Sequence, residues 1–276
     1  MKNVNYTYPS GTHALKDVSL NINKGELVAI MGQNGAGKTT LIRMLNGLLR
    51  PTKGSVYIEN EDIAPKTIAT MSKIVGIVFQ NPLNQLFSNT IEDEINFSLK
   101  NLELTKEEIK IRKDAILENF ELLKYQTRSP LNLSGGESKK LAIASIICRN
   151  PRILVFDEPT LGQDAKEIKF FIDLINQEIE KDKTILIVTH NVEFTMEYIP
   201  RTILMAHGNI IADGPTKYIL SNELLLNESS LIMPQLYQLK NALNEINLNV
   251  PDDLFRELEM IEFLDKYLRN LKGGVK

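Results

Sequence analysis

The sequence predicts an α/β fold, a mainly parallel sheet covered by helices on both faces. Three observations carry that expectation. Short apolar runs alternate with segments of helical periodicity along most of the 276 residues, the pattern of strands laid side by side with helices crossing between them. Residues 32–39, Gly-Gln-Asn-Gly-Ala-Gly-Lys-Thr, match the phosphate loop G-x-x-x-x-G-K-[ST] and stand between an apolar run and a helical one. Ile153-Leu154-Val155-Phe156 ends in the acidic pair Asp157-Glu158, and open α/β sheets bind ligands at the carboxyl ends of their strands.

Residues 1–31 alternate apolar and polar positions, with turn signals at Pro9-Ser10-Gly11 and Lys24-Gly25, and read as strands ending in the buried run Leu27–Met31. Residues 38–48 follow as a half-buried helix, with Leu41, Leu45 and Leu48 apolar and Ile42 and Met44 beside them. Segments 55–59 and 73–79 suggest a further strand pair. From 91 to 125 the periodicity is helical: Thr105 and Glu108 have capping-box spacing, and Ile109, Ile116, Phe120 and Leu123 share one face. Residues 134–149 form another helix, opened by glycines and stopped by Pro151, and 168–179 an amphipathic one. Thr184–Val188 is a strand rich in β-branched residues, and 203–205 and 210–212 flank Gly208-Asn209, a hairpin signal. Beyond residue 218 the stripes Leu236, Leu239, Leu243, Ile246 and Leu254, Leu258, Ile261, Leu264, Leu268 predict two helices joined near Pro251.

Bulk composition narrows the classes. With 43% apolar residues the chain can bury a large core, and a net charge of −3 with interspersed signs offers no broad basic face, so nucleic acid is not an expected partner. The single cysteine, Cys148, excludes an intrachain disulfide, and its apolar neighbours Ala144, Ile146 and Ile147 mark it as a packing residue. No apolar stretch approaches the ~18 residues of a membrane span, and the N-terminus lacks a signal-peptide core. A cytosolic location follows as the expectation, one compatible with docking onto a membrane partner.

Each motif has its own chemistry. Backbone N–H groups of Gly32, Gln33, Asn34, Gly35, Ala36 and Gly37 are placed to wrap phosphates at a helix N-terminus that runs on through Thr40. Lys38 supplies a point charge, and the Thr39 hydroxyl suits Mg²⁺. Asp157 is a candidate to orient that ion through water, and Glu158 to polarise an attacking water. Gln80, after the apolar Ile77-Val78-Phe79, could ligate Mg²⁺ or position water, and His190 could donate a hydrogen bond to a terminal phosphate. Each also has an ordinary reading, a strand-end Asp capping a turn or a loop glutamine, which their company outweighs. Leu133-Ser134-Gly135-Gly136-Glu137 opens a helix with Ser134 as its N-cap, a second anion-binding helix end in a chain with one phosphate loop. It reads either as a capped helix after a tight turn or as a group that meets ATP held by another subunit, in a two-fold dimer. His13 and His207 fall in turn regions and receive no role.

The phosphate loop, Gln80, Leu-Ser-Gly-Gly at 133–136, Asp157-Glu158 and Thr189-His190 together resemble the ATP-binding subunits of ABC transporters, over residues 4–217. The resemblance implies a P-loop NTPase: a RecA-like core sheet, an antiparallel β subdomain, an inserted helical subdomain over about residues 91–150 and a small helical extension at 218–276. It implies ATP and Mg²⁺ as ligands, Tyr8 stacked on adenine, Ser134, Gly135, Gly136 and Glu137 acting in trans, and Leu161-Gly162-Gln163-Asp164 crossing to the partner subunit. A narrower resemblance, carried by residues 80–87, by Thr90-Ile91-Glu92-Asp93-Glu94 and by Glu158-Pro159-Thr160, is to energy-coupling-factor importer ATPases, including those for cobalt, nickel and vitamins. It implies that Asn84, Gln85 and Phe87 face the coupling helices of a membrane partner.

The chain departs from the family pattern at Glu137, where glutamine is usual, and at Lys139-Lys140, where Gln-Arg is common; the family also usually begins with a few more residues than Met1-Lys2-Asn3. The expected function is an ATPase that dimerises around two ATP, with an identical or paralogous subunit. Its membrane partners would be integral transport subunits, engaged from the cytoplasmic face. The alternatives are a soluble ABC ATPase uncoupled from transport and a non-hydrolytic nucleotide-binding partner in a heterodimer.

Overall fold

The computed structural model describes residues 1–251, 254 and 257–273. The chain opens with the antiparallel pair β1 (Lys2–Thr7) and β2 (His13–Val18), and β3 (Leu27–Met31) then leads through the glycine turn into α1 (Lys38–Leu45). Three short strands follow, β4 (Lys53–Ser55), β5 (Tyr57–Ile58) and β6 (Glu61–Asp62), then the single turn α2 (Ile68–Met71) and β7 (Val75–Val78). The helices α3 (Ile91–Leu99), α4 (Lys106–Asn119) and α5 (Gly135–Ile147) separate β7 from β8 (Ile153–Asp157). After it come α6 (Ala165–Glu180), β9 (Thr184–Val188), α7 (Val192–Tyr198) and the hairpin β10 (Arg201–Ala206) with β11 (Asn209–Pro215). Four more helices end the described chain: α8 (Thr216–Ile219), α9 (Glu223–Glu228), α10 (Gln235–Glu245) and α11 (Glu257–Gly273).

The central sheet has the order β11-β10-β3-β9-β8-β7 and is parallel except for the hairpin edge β11. Its strands are apolar on both faces because both are covered, and side chains alternate between two cores. Leu154, Phe156, Ile185 and Ile187 pack with α3, α5 and α6, whereas Val155, Leu186, Val188 and Ile30 pack with Leu41 and Met44 of α1 and Val4 of β1. A separate antiparallel sheet, β2-β1-β4, lies on the α1 side. Crossovers return every parallel strand in one direction, so the ends of β3, β7, β8 and β9 share one edge of the sheet.

Several elements differ from the sequence expectation. The helix after the phosphate loop stops at Leu45, capped by Asn46, because Gly47 takes φ +77° and turns the chain out, which leaves Leu48 exposed. Segments 55–59 and 73–79 are not a pair: β4 joins β1, β5 joins β6, and β7 joins β8. The helical stretch 91–125 is two helices; α4 carries the Thr105–Glu108 capping box, while Leu123 sits exposed in a 3-10 turn beyond it. Past β11 there are four helices among the described residues, not two. Ile219, Leu220 and Leu226 join the main core, and only Val250, Leu254 and Met260, with Leu236, Leu243, Phe263 and Leu264, form a small core of their own. Leu239, Ile246, Leu258, Ile261 and Leu268 of the two expected stripes are exposed.

Candidate active site

Four strand ends and one helix start build the site. The chain leaves β3 through Gly32 and enters α1 after Gly37, with both glycines at positive φ, +139° and +103°. A Cβ on Gly32 would stand 2.1 Å from the Met205 carbonyl oxygen, and one on Gly37 2.5 Å from that of Ala14, so the loop closes only without side chains there. No side chain caps α1, which leaves its first N–H groups and positive dipole end for an anion. Lys38 is buried and its Nζ donates to the carbonyls of Gly32 (2.6 Å) and Gln33 (2.9 Å). Burial holds its pKa below the usual lysine value, opposed by the Glu158 and Asp157 carboxylates.

Across the sheet edge, β8 delivers Asp157 and Glu158, β9 delivers Thr189 and His190, and β7 leads to Gln80. Glu158 is held from several sides. Its backbone sits at φ +49° and its N–H donates to the Val188 carbonyl at 2.8 Å. The buried Thr189 hydroxyl donates to Oε2 at 3.1 Å, and His190 Nδ1 lies 2.7 Å from Oε1. A carboxylate only accepts, so that contact puts the proton on Nδ1. A neutral His190 therefore presents an unprotonated Nε2, and donates to a phosphate only as imidazolium or after releasing Glu158. In this state it orients Glu158.

These residues line one cleft of about 550 Å³, shared by Lys38, Thr39, Gln80, Asp157, Glu158 and His190, with Tyr8 and Thr40 on its wall. The Tyr8 hydroxyl bonds that of Thr40 at 2.9 Å, which pins the ring beside the phosphate loop. His13 also lines the cleft, bonded through Nδ1 at 2.9 Å to Thr7, its register partner across β1 and β2. Thr189, named in the sequence only as the neighbour of His190, gains a role through its contact with Glu158, which crosses between strands. A larger cleft, about 1640 Å³, opens at the opposite, amino ends of the strands around Ile153, Thr184 and Arg201, away from every motif residue.

Three groups expected to meet partner subunits stand outside this cleft. Ser134–Glu137 line no part of the cleft: Ser134 caps α5, and its N–H and hydroxyl both donate to Glu137 Oε2 at 2.9 Å. The Glu137 carboxylate is thereby folded back as a capping box, and those bonds hold its pKa below the usual range. Asp164 caps α6, with Oδ1 accepting from the Glu167 N–H at 2.8 Å. Gln85 turns inward, its amide donating to the Ala142 carbonyl at 2.7 Å and to Ser145 at 3.0 Å, while Asn84 and Phe87 remain exposed.

Asp157 is 9% exposed. Burial, with the neighbouring Glu158 carboxylate, pushes its carboxyl from 3.8 up to about 6, against the pull of Lys38 and Arg43. A buried carboxylate lacking a full counter-charge fits a cation, and the donors beside it, the Thr39 hydroxyl and Gln80 amide, are oxygens. The described residues hold no group of three or more His, Cys, Asp or Glu side chains able to bind a metal. That set suits Mg²⁺, which takes few protein ligands and completes its shell with water and phosphate. The raised pKa has a sign. Its stabilising effect is present below the ordinary value of 3.8 and is lost as pH rises through about 6. Asp157→Asn should therefore raise the melting temperature of the nucleotide-free chain by several degrees at about pH 8, for a term of up to ~3 kcal/mol, and by about half as much at about pH 5. With MgATP added the order should reverse, and thermal melting at both pH values checks this.

The family model described as "ABC transporter" matches residues 15–161. The energy-coupling factor transporter ATP-binding protein EcfA of Methanothermobacter thermautotrophicus is 36% identical, over 99% of this chain and 87% of that protein. The structure of cbiO1 from Clostridium perfringens, described as part of the ABC transporter complex cbiONQ, superposes with a TM-score of 0.73 at 33% identity, over 87% of this chain and 97% of that one. The ATP-binding cassette MJ0796, dimeric and bound to ADP and Pi after hydrolysis, gives a TM-score of 0.71 at 31% identity, over 78% and 97%. The chain spans only 40–41% of the length of two putative ABC transporter ATP-binding proteins from Methanosarcina acetivorans and Methanosarcina mazei. With its phosphate loop, acidic strand end and Leu-Ser-Gly-Gly helix in the arrangement described, this chain belongs to the ABC transporter ATP-binding family, in its energy-coupling-factor branch.

Proposed function

We propose that the chain binds and hydrolyses ATP with Mg²⁺ as the motor subunit of an energy-coupling-factor importer. It pairs with a second ATP-binding subunit and sits on integral membrane subunits at the cytoplasmic face. One observation carries the reading: Lys38, Thr39, Gln80, Asp157, Glu158 and His190, from four separate segments, meet in a single cleft at the carboxyl edge of the sheet.

Loop N–H groups and Lys38 hold the phosphates, while Tyr8 carries the base. Thr39, Asp157 and Gln80 would hold the ion, which when bound neutralises phosphate charge. Glu158, oriented by Thr189 and His190, polarises water for in-line attack on the terminal phosphorus. The rate gain is then positioning and charge stabilisation. Ser134, Gly135 and Gly136 stand outside the cleft although they open a capped helix end, which supports their serving a nucleotide on the second subunit, reached also by residues 161–164. The transported micronutrient, such as cobalt, nickel or a vitamin, is selected by the membrane subunits.

Phe87 is 65% exposed and stacks edge-on with Phe97 at 4.7 Å between ring centroids, an apolar pair on the helical subdomain that supports membrane-subunit docking there. Phe87→Ser should weaken capture of a polytopic membrane partner about 30-fold, the loss of one aromatic hot spot, and leave MgATP affinity unchanged. Pull-down from detergent-solubilised membranes, with phosphate release on the same material, tests the function as a whole. Absence of any membrane partner would contradict the importer reading, and absence of phosphate release the ATPase reading.

A further inference from the structure

Lys139 belongs to α5, two residues past the Ser134–Glu137 capping box, and is 6% exposed. Its Nζ donates to two backbone carbonyls, Glu158 at 3.3 Å and Leu161 at 3.1 Å. A buried ammonium is costly to desolvate, a cost that the Glu167 and Glu158 carboxylates offset only in part. Glu167 closes the same joint from α6. Its carboxylate accepts from the Asp164 N–H at 3.1 Å, and its Oε1 lies 1.7 Å from where a Cβ on Gly136 would be. The α5 start, the 158–161 turn and the α6 start thus mesh around one cation.

The turn needs such a tie. Glu158 is a non-glycine residue at φ +49°, a conformation that persists only where surrounding contacts enforce it. Its carbonyl accepts from both the Leu161 N–H, at 3.3 Å, and Lys139. Lysine suits the task because all its donors serve one charge that reaches two carbonyls.

We propose that Lys139 is a positioning residue that fixes the Glu158 backbone to the helix opened by Ser134–Glu137, so that engagement of that helix by the partner's nucleotide is transmitted to the hydrolytic carboxylate of the chain's own site. The inference rests on the ATPase reading above. It makes α5 and the 158–164 segment one mechanical unit, and couples turnover at the two sites of a dimer.

The test uses the full chain in its assembled dimer, with Lys139→Met, Lys139→Gln and Lys139→Arg. Phosphate release is followed against MgATP concentration, and MgATP binding is measured separately. Lys139→Met should lower kcat by about 10²-fold, as a misplaced catalytic group does, with KM changed less than about twofold and the Hill coefficient falling toward one. Lys139→Arg, which keeps charge and donors, should recover most of both. If Lys139→Met does not fold, Lys139→Gln carries the test, with an intermediate kcat and a reduced Hill coefficient expected. A folded Met or Gln variant with wild-type kcat and Hill coefficient overturns the proposal, as does a loss confined to KM. A wild-type chain that neither binds nor hydrolyses MgATP overturns the ATPase reading instead.

Discussion

Glu158→Gln is expected to lower ATP turnover by about 10²–10⁴-fold, the usual contribution of a general base, while MgATP affinity stays at the wild-type level. The substitution keeps the size and one acceptor oxygen of the side chain and removes its basicity. Thr189 still finds an acceptor, and the Val188 and Lys139 contacts are to backbone, so the loop should hold its shape. The variant should therefore fill with nucleotide and stay filled, accumulating the ATP-bound dimer. It also removes the carboxylate that helps raise the Asp157 pKa, so Asp157 should titrate closer to its ordinary value in the variant. Phosphate release alongside MgATP binding checks the first expectation. A variant that loses affinity and turnover together would mean that Glu158 supports the fold of the site rather than its chemistry.

Lys38→Ala is expected to weaken MgATP binding roughly 10–10²-fold, for the loss of a charge-assisted contact to phosphate. Effects on folding should be smaller. The Lys38 ammonium is already disfavoured by burial and spends its donors on the Gly32 and Gln33 carbonyls. Titration calorimetry with MgATP, paired with thermal melting, separates the two. Unchanged affinity in a folded variant would show that the cleft does not take a phosphate chain at this loop.

Much of this was legible in the sequence because it is local. The runs at Leu27–Met31, Ile153–Asp157 and Thr184–Val188 are too apolar to be anything but buried strands, and each ends one or two residues before a chemical group. The Thr105–Glu108 capping box marked the start of α4 correctly. The same spacing stands at Ser134–Glu137, where the Glu137 carboxylate closes a second capping box. The end of α1 was not read, because the apolar Leu48 keeps the helical period running past Gly47, where the chain turns out.

What escaped depends on contacts far along the chain. Nothing within residues 53–58 says that β4 pairs with β1 and β5 with β6, since a one-residue break at Val56 decides it. Leu102 and Leu104, apolar but set in the turn between α3 and α4, hid the break between those helices. Gln85 looked like a surface contact until the Ala142 carbonyl claimed its amide across the helical subdomain. The periodicity of residues 254–268 marked α11, yet left Leu258, Ile261 and Leu268 in solvent, because period alone does not say whether a face has a partner.

The convergence of four segments on one Mg²⁺-bound triphosphate is most directly tested by light scattering of the Glu158→Gln chain, together with its natural partner ATPase where it has one, during MgATP titration. One nucleotide per chain and a nucleotide-dependent dimer are expected, both shifted to roughly 10–10²-fold higher MgATP by adding Lys38→Ala. A particle whose mass and bound nucleotide ignore MgATP, or respond equally with and without Lys38, would contradict it.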